Sequence, residues 1–123
     1  MGFIGWKLDR RDRAALLKRF IPSWADVVAD HVTLAVGTEA TPLPLAVDAK
    51  VVGIVSDGEG LEALIVEIDG KIERPDGKTF HITWSLDRSR GRRAFESSSI
   101  IAKLGYTRLE APVAVQTFPA RID

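Results

Sequence analysis

The chain has 123 residues, 46% hydrophobic and 28% charged, with 17 basic against 17 acidic side chains and no cysteine. That length builds one domain, residues 1–123, with a sizeable core and no room for a second. Balanced charge leaves no global basic field for nucleic acid, and the lack of cysteine excludes a disulfide framework, a thiolate zinc site and a cysteine nucleophile. No apolar run reaches the roughly 18 residues that span a bilayer. Lys7, Asp9 and Arg10 interrupt the first segment too early for a signal peptide. The expectation is a soluble, cytoplasmic monomer that makes no membrane contact.

In chain order, residues 3–8 (FIGWKL) read as a short apolar strand. Asp9 then caps a helix over residues 10–20, with Ala14, Leu16, Leu17 and Phe20 as its apolar stripe. Arg10, Arg11, Arg13, Lys18 and Arg19 form its solvated face, and Pro22 stops it. Residues 23–30, with Trp24, read as a short helical or irregular connection. Residues 30–37 (DHVTLAVG) alternate like a half-buried strand, followed by the loop GTEATPLP.

Residues 47–55 and 61–68 read as strands around the turn SDGEG; the β-branched content of LEALIVEI outweighs its helix propensity. The turn at Pro75, Asp76 and Gly77 delivers the chain into a strand at 79–86, which contains FHITWSLD. An arginine-rich stretch, DRSRGRR, leads to a helix at 95–104 that Gly105 ends. Residues 106–109 and 112–118 supply a closing strand. The order β-α-β-β-β-β-α-β predicts an α+β fold with two helices and a largely antiparallel sheet.

Within that order one pattern occurs twice: His, an apolar residue, Thr, another apolar residue, at 31–34 and at 81–84. The chain has two histidines and both lie in it. With Thr at seven of 123 positions, both histidines acquire Thr at +2 by chance roughly a few times in a thousand, before allowing for other patterns. Side chains two apart on a strand share a face. His31, Thr33 and Ala35 therefore look one way, with Val32, Leu34 and Val36 behind; His81, Thr83 and Ser85 look one way, with Ile82, Trp84 and Leu86 behind.

Two imidazoles suit acid–base phosphoryl transfer, since imidazole titrates near neutral pH. One activates water, the other protonates the leaving oxygen, and the threonine hydroxyls hydrogen-bond non-bridging oxygens as charge develops. Neither a metal nor another cofactor is required. Ala35 and Ser85 are small enough to leave room for the phosphate.

The two HxTx copies resemble the signature of the two-histidine (2H) phosphoesterase superfamily. FIGWKLD with its helix, then ADHVTLAVG and FHITWSLD, is most similar to the cyclic phosphodiesterase domain of fungal and plant tRNA ligases and to compact bacterial RNA-repair-like relatives. The resemblance implies a pseudo-symmetric, two-lobed fold with a central cleft. It implies His31 and His81 as the catalytic pair and Thr33 and Thr83 as phosphate ligands. The substrate implied is a 2′,3′-cyclic phosphate on an RNA end or small nucleotide, commonly opened to a 2′-phosphate in RNA repair or processing. The order implied makes His31 the acid and His81 the base. The chain lacks the insertions of larger members. Other readings stay open: a non-catalytic nucleotide- or RNA-binding module, a 2′-5′ phosphodiesterase or ligase-like enzyme, or one acting on an ADP-ribose cyclic phosphate.

Several further residues are candidates. Arg88 and Arg90, with Arg92 and Arg93, are placed to guide a phosphate backbone. Tyr106, and more loosely Trp6 and Phe80, are candidates for stacking a base. Lys7 ends its strand within reach of a phosphate, and Trp84 belongs in the core by alternation. Asp30 adjoins His31, but neighbours on a strand point oppositely, which argues against a dyad.

Overall fold

A computed structural model describes residues 2–123. The fold is α+β, with two antiparallel sheets and two α-helices. One sheet has three strands in the order β3-β1-β8: β1 is Gly2–Leu8, β3 is His31–Gly37 and β8 is Thr117–Ile122. The other has five in the order β2-β6-β5-β4-β7: β2 is Asp26–Val27, β4 Ala49–Ser56, β5 Leu61–Ile68, β6 His81–Leu86 and β7 Thr107–Val115. Helix α1 is Arg10–Arg19 and α2 is Ser97–Leu104, the latter entered through a 3-10 turn at Ala94–Glu96. Among the described residues no helix is long and apolar enough to cross a membrane.

The central strand β5 shows why LEALIVEI is a strand. Leu64 and Val66 face the main core, while Ala63 and Ile65 face the cluster beneath α2 with Val52, Val55 and Ile101. A strand covered on both faces reads as a continuous apolar run. Between the sheets, Trp6 of β1 meets Phe80 edge-on, ring centroids 6.1 Å apart, with Trp84, Leu8, Ile82 and Val32 fully or almost fully buried around them. Each large side chain buried there contributes about 1.5–3 kcal/mol, and all six belong to one continuous core cluster.

Helix α1 starts where expected: the Asp9 carboxylate accepts from Asp12 N–H at 3.0 Å. At its other end the Phe20 carbonyl accepts from Trp84 Nε1 at 2.7 Å, so a core tryptophan of β6 satisfies one of the carbonyls left open there. Trp84 is in the core, as its alternation predicts.

Two differences from the sequence reading matter. The closing strand is two strands: Val115 still pairs with β4 of one sheet, and Thr117 already pairs with β1 of the other. The chain changes sheets at Gln116, held by Asp9 N–H to its carbonyl at 2.8 Å and by its own N–H to Asp12 at 2.6 Å. Only Gln116 and Thr117 are polar in residues 112–118 and neither is a strong turn former, so no turn signal marks the corner. The 23–30 connection contains β2, two residues paired to the end of β6.

Each motif strand also carries an extra residue just after its threonine. In β3, Gly5 pairs with Thr33 and Ile4 with Ala35, which leaves Leu34 unpaired. In β6, Ala63 pairs with Thr83 and Glu62 with Ser85, which leaves Trp84 unpaired. Such bulges bend a strand and re-aim the residues beyond them. They fall at the same position of both copies.

Candidate active site

Strands β3 and β6 run side by side where the sheets meet, and a cleft of about 390 Å³ opens there. His31, Thr33, His81 and Thr83 all line it. Fifty residues separate the histidines in sequence, 31 to 81; the fold brings them to one cavity. A larger, more open depression of about 540 Å³ lies away from it, near Asp12, Lys50 and Gln116, and contains neither histidine.

His81 opens β6, half-buried, with Nδ1 2.8 Å from the Thr79 carbonyl. A carbonyl only accepts, so Nδ1 carries the hydrogen and Nε2 keeps its lone pair. Burial pushes the His81 pKa below its ordinary value; the Thr79 bond opposes this, and the positive charges of Arg74, His31 and Lys78 add to it. A neutral imidazole with Nε2 unprotonated has the form of a general base.

His31 opens β3 and meets a carboxylate, its Nδ1 3.1 Å from Asp30 Oδ2. This corrects the alternation argument against a dyad. Asp30 lies just before the strand, after Ala29 with φ of 43°, so strand geometry does not govern its side chain. The segment is clamped from several sides. Val28 and Ala29 N–H groups donate to the Trp84 and Thr83 carbonyls, the Asp30 carbonyl accepts from Leu8, and Arg13 Nε donates to the Ala29 carbonyl at 2.6 Å. Arg10 donates to Asp30 Oδ1 at 3.0 Å. Two arginines expected on a merely solvated face of α1 therefore hold the carboxylate segment. Burial works to raise the Asp30 pKa, but bonds and charge from His31 and Arg10 outweigh it and hold the carboxyl below its ordinary value. Ionised Asp30 fixes the His31 ring with hydrogen on Nδ1 and balances its charge whenever the ring is protonated.

The threonines differ. Thr33 is half-buried on β3, opposite Gly5. Thr83 is buried, and its hydroxyl lies 2.8 Å from Ser97 Oγ at the start of α2.

The structure adds residues that the sequence reading missed. Arg74 and Lys78 line the cleft beside His81, paired across the Pro75–Gly77 turn by Arg74 N–H to the Lys78 carbonyl at 2.7 Å. Arg74 also binds Asp76 through two bonds, at 3.1 and 2.6 Å; with Arg74 as the main cause, the Asp76 pKa is lowered to about 2. The available signal was the turn itself, since a tight reversal before the motif places its flanking charges beside the motif. Phe95, in the 3-10 turn rather than in the helix, is 82% exposed on the rim.

Ser85, Arg88, Arg90, Tyr106 and Lys7 do not line the cleft, nor do Arg92, Arg93, Trp6 and Phe80. Ser85 is fully buried on the other face, where its hydroxyl donates to Glu62 at 3.0 Å beside Ser23. The Trp84 bulge pairs Ser85 with Glu62 rather than continuing the Thr83 face, so plain alternation fails there. Arg88 and Arg90 lie beyond the far end of β6, about 20 Å along the strand from His81. Arg88 pairs with Asp26, and Arg90 pairs with Asp87 and covers the Trp24 ring at 5.2 Å. Tyr106 packs on Gly53, where a Cβ would fall 2.4 Å from its ring, as part of the cluster under α2. Lys7 stands directly opposite His31 in the ladder and shares its face, but does not reach the cleft wall. Of the looser stacking candidates, Trp6 and Phe80 are both core residues. Past the Leu34 bulge, Val36 as well as Ala35 lines the cleft, where alternation put Val36 behind.

What fold and site define together is an α+β protein with a paired-histidine, paired-threonine cleft at the junction of two antiparallel sheets. No family model, curated protein or solved structure matches this chain.

Proposed function

We propose that this chain is a metal-independent phosphodiesterase of the two-histidine type that hydrolyses 2′,3′-cyclic phosphates, on RNA ends or small nucleotides, to 2′-phosphates. The observation that carries this reading is the convergence of both His-x-Thr copies on one cleft. The matching bulge after each threonine supports a pseudo-symmetric relation between the two motif strands.

The environments of the histidines separate their roles. His81 is neutral with Nε2 unprotonated, and takes a proton from the attacking water. His31, with Asp30 behind Nδ1, protonates the departing 3′-oxygen, which leaves the phosphate on the 2′-oxygen. Thr33 and Thr83 hydroxyls donate to the non-bridging oxygens while negative charge grows on them. The ring states exchange through solvent before the next turnover.

The test is a substrate panel: a nucleoside 2′,3′-cyclic phosphate, an RNA ending in one, an ADP-ribose cyclic phosphate and a 2′-5′-linked dinucleotide, with the product identified by phosphorus NMR. Turnover of a 2′,3′-cyclic phosphate to the 2′-phosphate, undiminished by EDTA, is expected. Binding without turnover across the panel would replace the enzyme by a binding module, and cleavage of the 2′-5′ linkage alone would change the bond.

A further inference from the structure

Thr83 and Ser97 share a hydrogen bond that can run in either direction, and burial decides which. Ser97 is fully buried at the start of α2, and Thr83 Oγ1, 2.8 Å away, is the partner of its hydroxyl among the described residues. If Thr83 donated, the Ser97 hydrogen would be left in the interior without an acceptor, and an unmade buried bond of that kind is costly. If Ser97 donates, its own need is met and the Thr83 hydrogen is released. The nearest alternative acceptor for that hydrogen is the Ala94 carbonyl at 3.5 Å, at the outer limit of a useful bond. A phosphate oxygen in the cleft is a stronger, charge-assisted acceptor.

We propose that Ser97 is a positioning residue: it donates to Thr83 Oγ1 and so turns the Thr83 hydroxyl hydrogen toward a phosphate oxygen bound between the two histidines. This rests on the phosphoester reading of the cleft. The arrangement belongs to one half of the site, since Thr83 takes its partner from α2 and Thr33 lies on β3 opposite a glycine. The serine itself is held by its surroundings. The 3-10 turn before it is anchored by Glu96 bonding Arg92 and the Arg93 N–H, and Arg92 also binds Asp57 and the Glu59 carbonyl of the β4–β5 turn.

The experiment is a double-mutant cycle with Ser97→Ala and Thr83→Val, read two ways on the full chain. One readout is kcat and KM on a nucleoside 2′,3′-cyclic phosphate. The other is the affinity for inorganic phosphate, followed by amide chemical shifts. Ser97→Ala is expected to lower kcat/KM and phosphate affinity roughly five- to thirtyfold, the scale of one to two hydrogen-bond energies. In the Thr83→Val background the same change is expected to do nothing more, because Ser97 acts through that hydroxyl. Ser97→Cys, of similar size and a weaker donor, should fall between serine and alanine; it also serves if the alanine variant does not fold.

Independent losses that multiply in the double variant would overturn the proposal, as would a Ser97→Ala protein that binds phosphate like the wild type, or a wild type that binds no phosphate. Non-additive phosphate binding in a chain that turns over no cyclic phosphate would uphold the relay and reject the hydrolase.

Discussion

Gly5 sits where β1 passes closest to the first motif strand, and replacing it tests fold and site together. A Cβ built there lies 2.1 Å from the Val32 carbonyl oxygen and 3.0 Å from both Leu34 N and Thr33 Cα. All three are backbone atoms of β3, leading into the Leu34 bulge. No side-chain rotation relieves such a contact. Carbon–oxygen contacts settle near 3.3 Å, so in Gly5→Ala the strand carrying His31 and Thr33 must retreat by roughly 1 Å.

Overpacking on that scale costs about 1–3 kcal/mol, and a displacement of about 1 Å at reacting groups costs on the order of a hundredfold in rate. Urea unfolding and kcat on a 2′,3′-cyclic nucleotide measure the two effects separately. A lower midpoint with unchanged slope, and a rate loss persisting well below the unfolding temperature, is the expected pair of results. A variant with wild-type midpoint and rate would refute the close approach of β1 and β3. Loss of stability with full activity would show instead that β3 does not carry the chemistry.

Replacing either histidine by alanine should lower kcat by roughly a hundred- to ten-thousandfold, and full activity in both variants would remove the acid–base mechanism. Asp30→Asn removes a charge-assisted bond whose members are about a third exposed; its effect on kcat should stay near five- to thirtyfold, and an unchanged kcat would reduce Asp30 to a surface contact. The rising limb of the pH profile of kcat/KM should lie below 6.5, the ordinary histidine value, because the proposed base His81 is shifted down by its burial. Stability carries the same sign. Below about 6.5 the unfolded chain binds a proton at His81 that the folded chain refuses, so the unfolding free energy decreases as the pH is lowered through that window and levels off under the folded value. His81→Gln should flatten this part of the curve, and an unaltered slope across pH 5–7 would show that His81 is not the group responsible.

The α+β class, the two helices and the strand identity of most segments were legible in the chain because each rests on local pattern. Asp9 caps α1, β-branched residues fill β5, and Gly105 ends α2. The repeated His-x-Thr was legible for the same reason, since alternation places His and Thr of each copy on one face whatever lies around them. Alternation stopped being a guide where a strand bulged or ended. Ser85 lies beyond the Trp84 bulge and turns toward Glu62, and Asp30 lies before β3 and reaches His31. Both involve a single residue leaving the period of two, and nothing in the local composition announces either.

The remaining features belong to a turn or to distant contacts. Arg74 and Lys78 enter the cleft because a turn folds them beside His81, Ser97 meets Thr83 because α2 packs on β6, and Gln116 changes sheets because both sheets are already there to pair with. The chemistry of the cleft, two imidazoles each with a threonine, is written in the residue order. The distinction between the imidazoles is not. One is half-buried beside cations that the 75–77 turn brings back to it, and the other is backed by the carboxylate next to it in sequence. The residues are local, but the burial of the first and the clamping of the second by Arg10, Arg13 and β6 come only with packing.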